Sequence, residues 1–215
     1  DLPGHWEYLN SVAWSSGGLI AQTQTRDQRR VDVYRIDHTT GDCDNVFTDI
    51  DDAWVELVPS VPALLDNGQL LTCADRDGAR RIVLNGTPLT PTELQVRSIV
   101  SAGDTTLCIA NNRETPWITE LFSVTTAGVV TQLTHSNGSV SASGLPHCYV
   151  TRTTTLDTVR AAFVVHHGNS EIAIANHAEE PLVSPNVRIH AVGPRQIPVA
   201  IVMPNDGLTT QLPVL

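Results

Sequence analysis

A serine nucleophile held on a strained strand-to-helix turn needs small residues on either side, the pattern Gly-x-Ser-x-Gly. No such pentapeptide occurs in these 215 residues; Ser15-Ser16-Gly17-Gly18 lacks the leading glycine and sits in a hairpin context. A catalytic triad also needs a base beside its nucleophile and a third group to orient it. The chain has eight histidines, among them the adjacent pair His166 and His167. Neighbours on a strand point to opposite faces, so this pair is badly placed to share one metal. His135, His147 and His177 fall in turns or at strand ends and are read as ordinary surface histidines. The paired acids Asp51-Asp52 and Glu179-Glu180 are read as solvated loop charges; sialidase-like glycosidase chemistry is the rival they raise. The four cysteines, Cys43, Cys73, Cys108 and Cys148, form no CxxC pair, which argues against a zinc ribbon or a thioredoxin-like site. Each lies in or beside a strand-like run, so they are read as small buried thiols rather than disulfides. Neither a metal nor a cofactor is expected. No complete catalytic apparatus is visible.

The elements around these residues are strands. Short runs rich in Val, Ile, Leu and Thr alternate with Gly, Asp, Asn and Pro at intervals of about ten residues, the pattern of all-β architecture. Predicted strands are Ser11–Trp14, Leu19–Gln24, Val31–Asp37, Gln69–Ala74, Arg80–Leu84, Val96–Val100, Thr106–Ala110, Thr119–Val124, Val129–Leu133, Val159–His166 and Glu171–Ala175. Only Thr92–Val96 hints at a helical turn, and it is short. Val31 to Asp37, Arg80 to Asn85 and Thr119 to Val124 each run into a glycine turn (Gly41, Gly86, Gly128) and then a short apolar strand; Ser170 to Ala175 is a fourth comparable segment. The units recur every ~40–50 residues, the period of four-stranded propeller blades. The expected fold is a partial β-propeller of about four four-stranded antiparallel blades, at 8–58, 59–96, 97–134 and 135–180. Asp49 to Ser60 adds a loop to the first blade, and polar Thr151–Thr155 interrupts the last. After this 1–185 unit, Asn186 to His190 and Ile197 to Met203 form an extended pair within a linker, 186–215. The apolar ending Leu212-Pro213-Val214-Leu215 reads as a strand just begun, and Asp1 as a boundary inside a longer protein.

Composition narrows the partners. The formal net charge is -10, with thirteen basic residues, all arginine. An acidic surface repels phosphate backbones, so neither nucleic acid nor an anionic membrane is expected as partner. No apolar run approaches the ~18–20 residues of a membrane span, and Asp1-Leu2-Pro3-Gly4 does not resemble a secretion signal. Reduced thiols fit a cytoplasmic location.

Three stretches resemble the propeller of the dipeptidyl peptidase IV and prolyl oligopeptidase-like serine peptidases. Val12-Ala13-Trp14-Ser15-Ser16-Gly17-Gly18-Leu19-Ile20-Ala21 is similar to the family's blade-opening Trp-Ser-Pro-Asp-Gly turn, with Ser16 in place of proline and Gly17 in place of aspartate. Asp52-Ala53-Trp54-Val55-Glu56, Leu65-Asp66-Asn67-Gly68-Gln69-Leu70-Leu71 and Asp75-Arg76-Asp77-Gly78-Ala79-Arg80 follow the family order Trp-Val, Asp-Gly-x-hydrophobic, Arg-Asp-Gly. Ile201-Val202-Met203-Pro204, followed by Gly207 to Leu215, resembles the strand that leads into the α/β-hydrolase domain.

The resemblance implies a parent serine-type dipeptidyl aminopeptidase that removes N-terminal dipeptides, with proline or alanine penultimate. The serine, aspartate, histidine and oxyanion tyrosine would come from its hydrolase domain, and the glutamates that clamp the substrate amino group would lie upstream of Asp1. The implied partners are a peptide substrate and that hydrolase domain; separately, an open half-ring leaves two blade faces uncovered, for which a second copy is the expected cover. The fragment itself would be inactive, gating and lining the cavity. Loop position makes Trp54, Glu56 and Arg76 the candidate substrate-binding residues. The competing reading packs Trp54 between blades and pairs Arg76 with Asp75 or Asp77, and Leu57 and Val58 stand where the family places an aromatic-plus-arginine contact. A stand-alone binding or scaffolding propeller is the alternative function.

Overall fold

Alternation of apolar residues with period two lets one strand serve two interfaces, because successive side chains leave opposite faces of the sheet. Leu107 and Ile109 pack in one buried cluster while Cys108 and Ala110, between and beside them, pack in another. The computed structural model, which describes residues 2–179, 181, 182 and 184–203, shows what this alternation builds.

Four antiparallel sheets of four strands follow one another in chain order. The first contains β1 (Tyr8–Ser15), β2 (Gly18–Gln24), β3 (Arg30–Ile36) and β4 (Cys43–Ile50). The second contains β5 (Ala63–Leu64), β6 (Leu70–Arg76), β7 (Ala79–Leu84) and β8 (Thr87–Pro88). The third contains β9 (Leu94–Ser101), β10 (Thr105–Asn112), β11 (Glu120–Thr125) and β12 (Val130–Gln132), and the fourth β13 (Ser139–Leu145), β14 (Cys148–Thr154), β15 (Ala162–His167) and β16 (Ser170–Ile174). A separate hairpin pairs β17 (Val187–Val192) with β18 (Ile197–Val202). Within every sheet each strand pairs with its sequence neighbour, so each is a meander. Among the described residues no helix forms, and none is therefore long and apolar enough to cross a membrane.

The sheets stack face to face. Ile20 and Val33 of the first meet Leu64 and Leu70 of the second. Leu71, Ile82 and Leu84 of the second meet Val96, Cys108 and Phe122 of the third. Leu107, Ile109 and Leu121 of the third meet Val140 of the fourth. These apolar seams are the main cohesive force, since a four-stranded sheet alone leaves both faces wet. Among the described residues the array is not closed into a ring. On the outermost faces Val12, Trp14, Ile172 and Ile174 are exposed.

Three expectations change. The division at 96/97 falls inside β9, because the Pro91 turn ends the second sheet and the third begins at Leu94. Thr151 to Thr154 do not interrupt the fourth sheet: they belong to β14, and Thr151 is buried with its hydroxyl bonded to His166. The thiols are all free, but only Cys108 is fully buried and Cys148, beside a hairpin turn, is exposed. The stretch Gly207 to Leu215 and Glu180 lie outside the described residues.

Candidate functional site

In a meander the connections from even to odd strands all leave from one end, and three contacts align that end across the sheets. The Arg76 guanidinium, closing β6, meets the Asp49 carboxylate near the end of β4 at 2.8 Å. The Arg80 amide, opening β7, donates to Gln95 Oε1 in β9 at 3.1 Å. Thr119, just before β11, forms a parallel bridge with Ser139 at the start of β13. The turn 25–29, the loop 51–62, the turn 77–78 and the loops 113–119, 133–138 and 155–161 therefore share one end. Trp54, Glu56 and Arg76 all lie on it.

Trp54 is held by local chemistry. The Asp51 carboxylate accepts from the backbone N–H groups of Ala53 and Trp54, at 2.7 and 3.1 Å, a short acidic side chain satisfying its own turn. The Asp51 amide donates to Arg29 O at 3.0 Å and the Val55 amide to Gln28 O at 2.8 Å, tying the loop to the β2–β3 turn. Buried Gln24 donates to Val55 O at 3.4 Å. With Val55 anchored below, the Trp54 ring stands outward, 60% exposed, and does not pack between sheets. Its indole N–H donates to Glu56 Oε2 at 3.2 Å. Trp54, Glu56, Gln24, Gln28, Val55 and Leu57 line an open cavity of about 240 Å³.

Arg76 is placed differently. Its ion pair is with Asp49 of the first sheet, not with the carboxylate of Asp75 or Asp77, although Nη1 also donates to the Asp75 backbone carbonyl at 2.7 Å, and it is not among the residues lining the Trp54 cavity. Asp75 sits directly opposite Arg80 in the β6–β7 register and takes that partner, while Asp77 takes Arg81 at 2.8 Å. With both neighbouring carboxylates taken, the Arg76 guanidinium finds its ionic partner on the first sheet. The structure brings Trp54 and Glu56 together and leaves Arg76 on the same end as an inter-sheet tie.

The sequence reading did not single out Gln24, Gln28 or Trp117. Trp117, on the 113–119 loop, borders a cavity of about 310 Å³ with Leu156, Ser139 and three hairpin residues, Ile189, Pro198 and Ala200. The β17–β18 hairpin therefore packs against the same end of the array, at the third and fourth sheets. Nearby Glu120, buried at the start of β11, accepts from Thr134, from the Ser136 amide and from the Ser136 hydroxyl, which pins the 133–138 loop.

No alternative catalytic centre emerges among the described residues. Thr151 Oγ1, His166 and Glu171 lie in line, at 3.0 Å to Nε2 and 3.3 Å from Nδ1, with the Tyr149 ring stacked on the imidazole at 4.6 Å. The hydroxyl is buried under the third sheet, so no substrate carbonyl can reach it. His166 is accordingly a packed residue, not a surface one. Burial, followed by the charge of Glu171, raises the Tyr149 phenol. No cluster of His, Cys, Asp and Glu suited to a metal occurs among the described residues. Ser15 donates to Leu64 O at 2.9 Å and Ser16 to Asp66, so both serines of the first hairpin are docking residues.

The sequence matches the family described as the dipeptidyl peptidase IV N-terminal region over residues 1–158. No curated protein sequence matches the chain. Among solved structures the chain is similar to dipeptidyl peptidase 4 of Porphyromonas gingivalis, at a TM-score of 0.70 and 14% identity over 90% of this chain and 30% of that one. It is similar to a puromycin-hydrolyzing peptidase of Mycobacterium tuberculosis, at 0.61 and 15% over 91% of this chain and 33% of that one. A third likeness is to oligopeptidase B of Leishmania major, at 0.60 and 10% over 94% and 32%. At these identities the likeness speaks for the fold, and the chain spans about a third of each of these proteins.

Proposed function

The chain belongs to the family of the dipeptidyl peptidase IV N-terminal region, and from that premise we propose that it is a non-catalytic propeller segment of a serine peptidase, gating and lining the cavity in which a separate α/β-hydrolase domain cleaves peptides. The parent enzyme removes dipeptides from peptide N-termini. Trp54 and Glu56 contact the peptide, while Arg76 keeps the first two sheets in register beneath them.

The observation that carries this reading is the position of the β17–β18 hairpin. Its second strand runs into Ile201-Val202-Met203-Pro204, which resembles the approach to a hydrolase domain, and it packs beside Trp117 and Leu156 at the end of the array that also bears Trp54 and Glu56. In this reading a domain that follows the hairpin is the one that those loops face. Four free thiols support a reducing compartment, the cytoplasm.

Reading the gene beyond Leu215 for Gly-x-Ser-x-Gly and assaying the full-length protein on Ala-Pro-p-nitroanilide tests the proposal. The expected result is release of p-nitroaniline that a fluorophosphonate abolishes, with no hydrolysis by residues 1–215 alone. A gene without the pentapeptide overturns the proposal in favour of a stand-alone binding propeller.

A further inference from the structure

The cavity beside Trp54 carries a selectivity that its position alone does not supply. Its one charged lining residue is Glu56; the rest are Gln24, Gln28, Val55, Leu57 and the indole itself. Arg26 and Arg29 share the β2–β3 turn with Gln28 but are not among the lining residues. One Glu56 oxygen accepts from the indole N–H at 3.2 Å, which fixes the carboxylate beside the ring. The other has no protein partner among the described residues. The ring itself is largely exposed, so its face is open to a ligand. Buried Gln24 and the Asp51 turn hold this arrangement from beneath, the former through bonds to Val55 O and from Asn10. An aromatic face beside a carboxylate attracts a cation twice, through the ring quadrupole and through a charge-assisted hydrogen bond. The same pair repels an anion, and a single carboxylate is a poor ligand set for a divalent metal.

We propose that the Trp54–Glu56 cavity binds a primary ammonium group of a peptide, seated on the indole and paired with Glu56. This rests on the reading of the Trp54 loop as a peptide-lining wall and adds the charge of the group that it accepts. A peptide offers such a group at its N-terminus or on a lysine side chain, and the two sources separate by experiment.

The test is calorimetric titration of the 215-residue chain at low salt with three peptides: N-acetyl-Gly-Lys-Gly-amide, its Nε-acetyl-lysine counterpart, and Gly-Ala-Gly-amide with a free N-terminus. The expected result is binding of one or both amine-bearing peptides, weakened roughly tenfold in Glu56→Gln and roughly fivefold in Trp54→Leu, and weakened by added salt. Which amine peptide binds identifies the source. Circular dichroism of both variants should match the wild type, because both side chains are exposed. Equal binding of the Nε-acetyl-lysine peptide, or unchanged affinity in Glu56→Gln, overturns the inference while the lining role stands. Binding of none of the three also overturns it. The peptidase reading is decided separately, by hydrolysis in the full-length protein.

Discussion

If the seams between sheets hold the molecule together, the same truncation must have opposite consequences on a seam and on an open face. Ile82 on β7 is 0% exposed and packs with Leu71, Leu94, Val96, Cys108 and Phe122 between the second and third sheets. At about 0.8 kcal/mol per carbon removed, losing the Ile82 side chain beyond Cβ costs about 2.4 kcal/mol of transfer free energy. The cavity left in a seam with backbone on both sides raises this to about 3–4 kcal/mol. Ile172 on β16 carries the same atoms on the open face of the fourth sheet, where it is 62% exposed. Ile172→Ala is therefore expected to stay within about 0.5 kcal/mol. Urea unfolding followed by circular dichroism reads both. With a slope of about 2 kcal/mol/M, the Ile82→Ala midpoint falls by about 1.5–2 M and the Ile172→Ala midpoint by less than about 0.3 M, with slopes unchanged. Repeating the titration by tryptophan fluorescence checks that one transition is being followed. Equal shifts for the two variants would refute the reasoning, since they would mean that the seam contributes no more than a wet face.

Other perturbations address the ties and the titrating groups. Arg76→Ala strips the partner from nearly buried Asp49 and should destabilise by about 1–2 kcal/mol; a double-mutant cycle with Asp49→Asn should return a coupling of about 1 kcal/mol, and zero coupling would show the pair to be incidental. Burial pushes the Cys73 and Cys108 thiols up to about 12, so iodoacetamide at pH 8 should label exposed Cys148 first and reach these two only after unfolding, as peptide mapping would show. The same shift makes stability fall as pH rises from about 9 towards 12, because the unfolded chain ionises these thiols first; Cys108→Ala should flatten that loss. Asp32 is the acid-side counterpart: desolvation acts to raise its pKa, but hydrogen bonds from Arg30, Thr48 and Asn45 together hold it below 3.8. Its contribution is present above that value and lost as pH falls through the lower native one, so Asp32→Asn should lower the urea midpoint at pH 7 while reducing its acid dependence.

The sequence made the repeat legible because the strands that form each sheet's middle are dense in Val, Ile and Leu and end on glycine turns. β14 was harder to read. Its Thr151–Thr154 stretch is polar by composition, yet threonine is β-branched and suits a strand, and the buried hydroxyl of Thr151 finds its partner only on the neighbouring strand. The Trp54–Glu56 contact was within reach, being two residues apart in one loop. The partner of Arg76 was not, since it lies on another sheet and the choice depends on Asp75 being already claimed across its own ladder. Gln24 and Gln28 belong to a turn remote in sequence from Trp54. A four-strand meander nevertheless places the second turn of one blade beside the connection to the next, and that rule applied to the repeat would have pointed to them.

The same topology explains why the long loops gather at one end. The opposite end carries the turns from odd to even strands, all short, and one of them is locked: a Cβ on Gly17 would lie 2.3 Å from Leu65 O, a backbone atom that cannot yield cheaply. Gly144, at φ +130, is similarly confined beside Cys148 O in the fourth sheet. These turns register each sheet against itself or its neighbour, and lengthening them would disturb a seam. Among the even-to-odd connections 133–138 is held as tightly, a Cβ on Gly138 lying 2.2 Å from Thr154 O, whereas the others join strands already fixed by their ladders. They are free to carry the long segments 51–62, 113–119 and 155–161, with Trp54 and Trp117 standing outward from a rigid base. A stack of sheets built in this way is tied at both ends and carries its longest loops at one of them. The β17–β18 hairpin meets that end at Trp117 and Leu156.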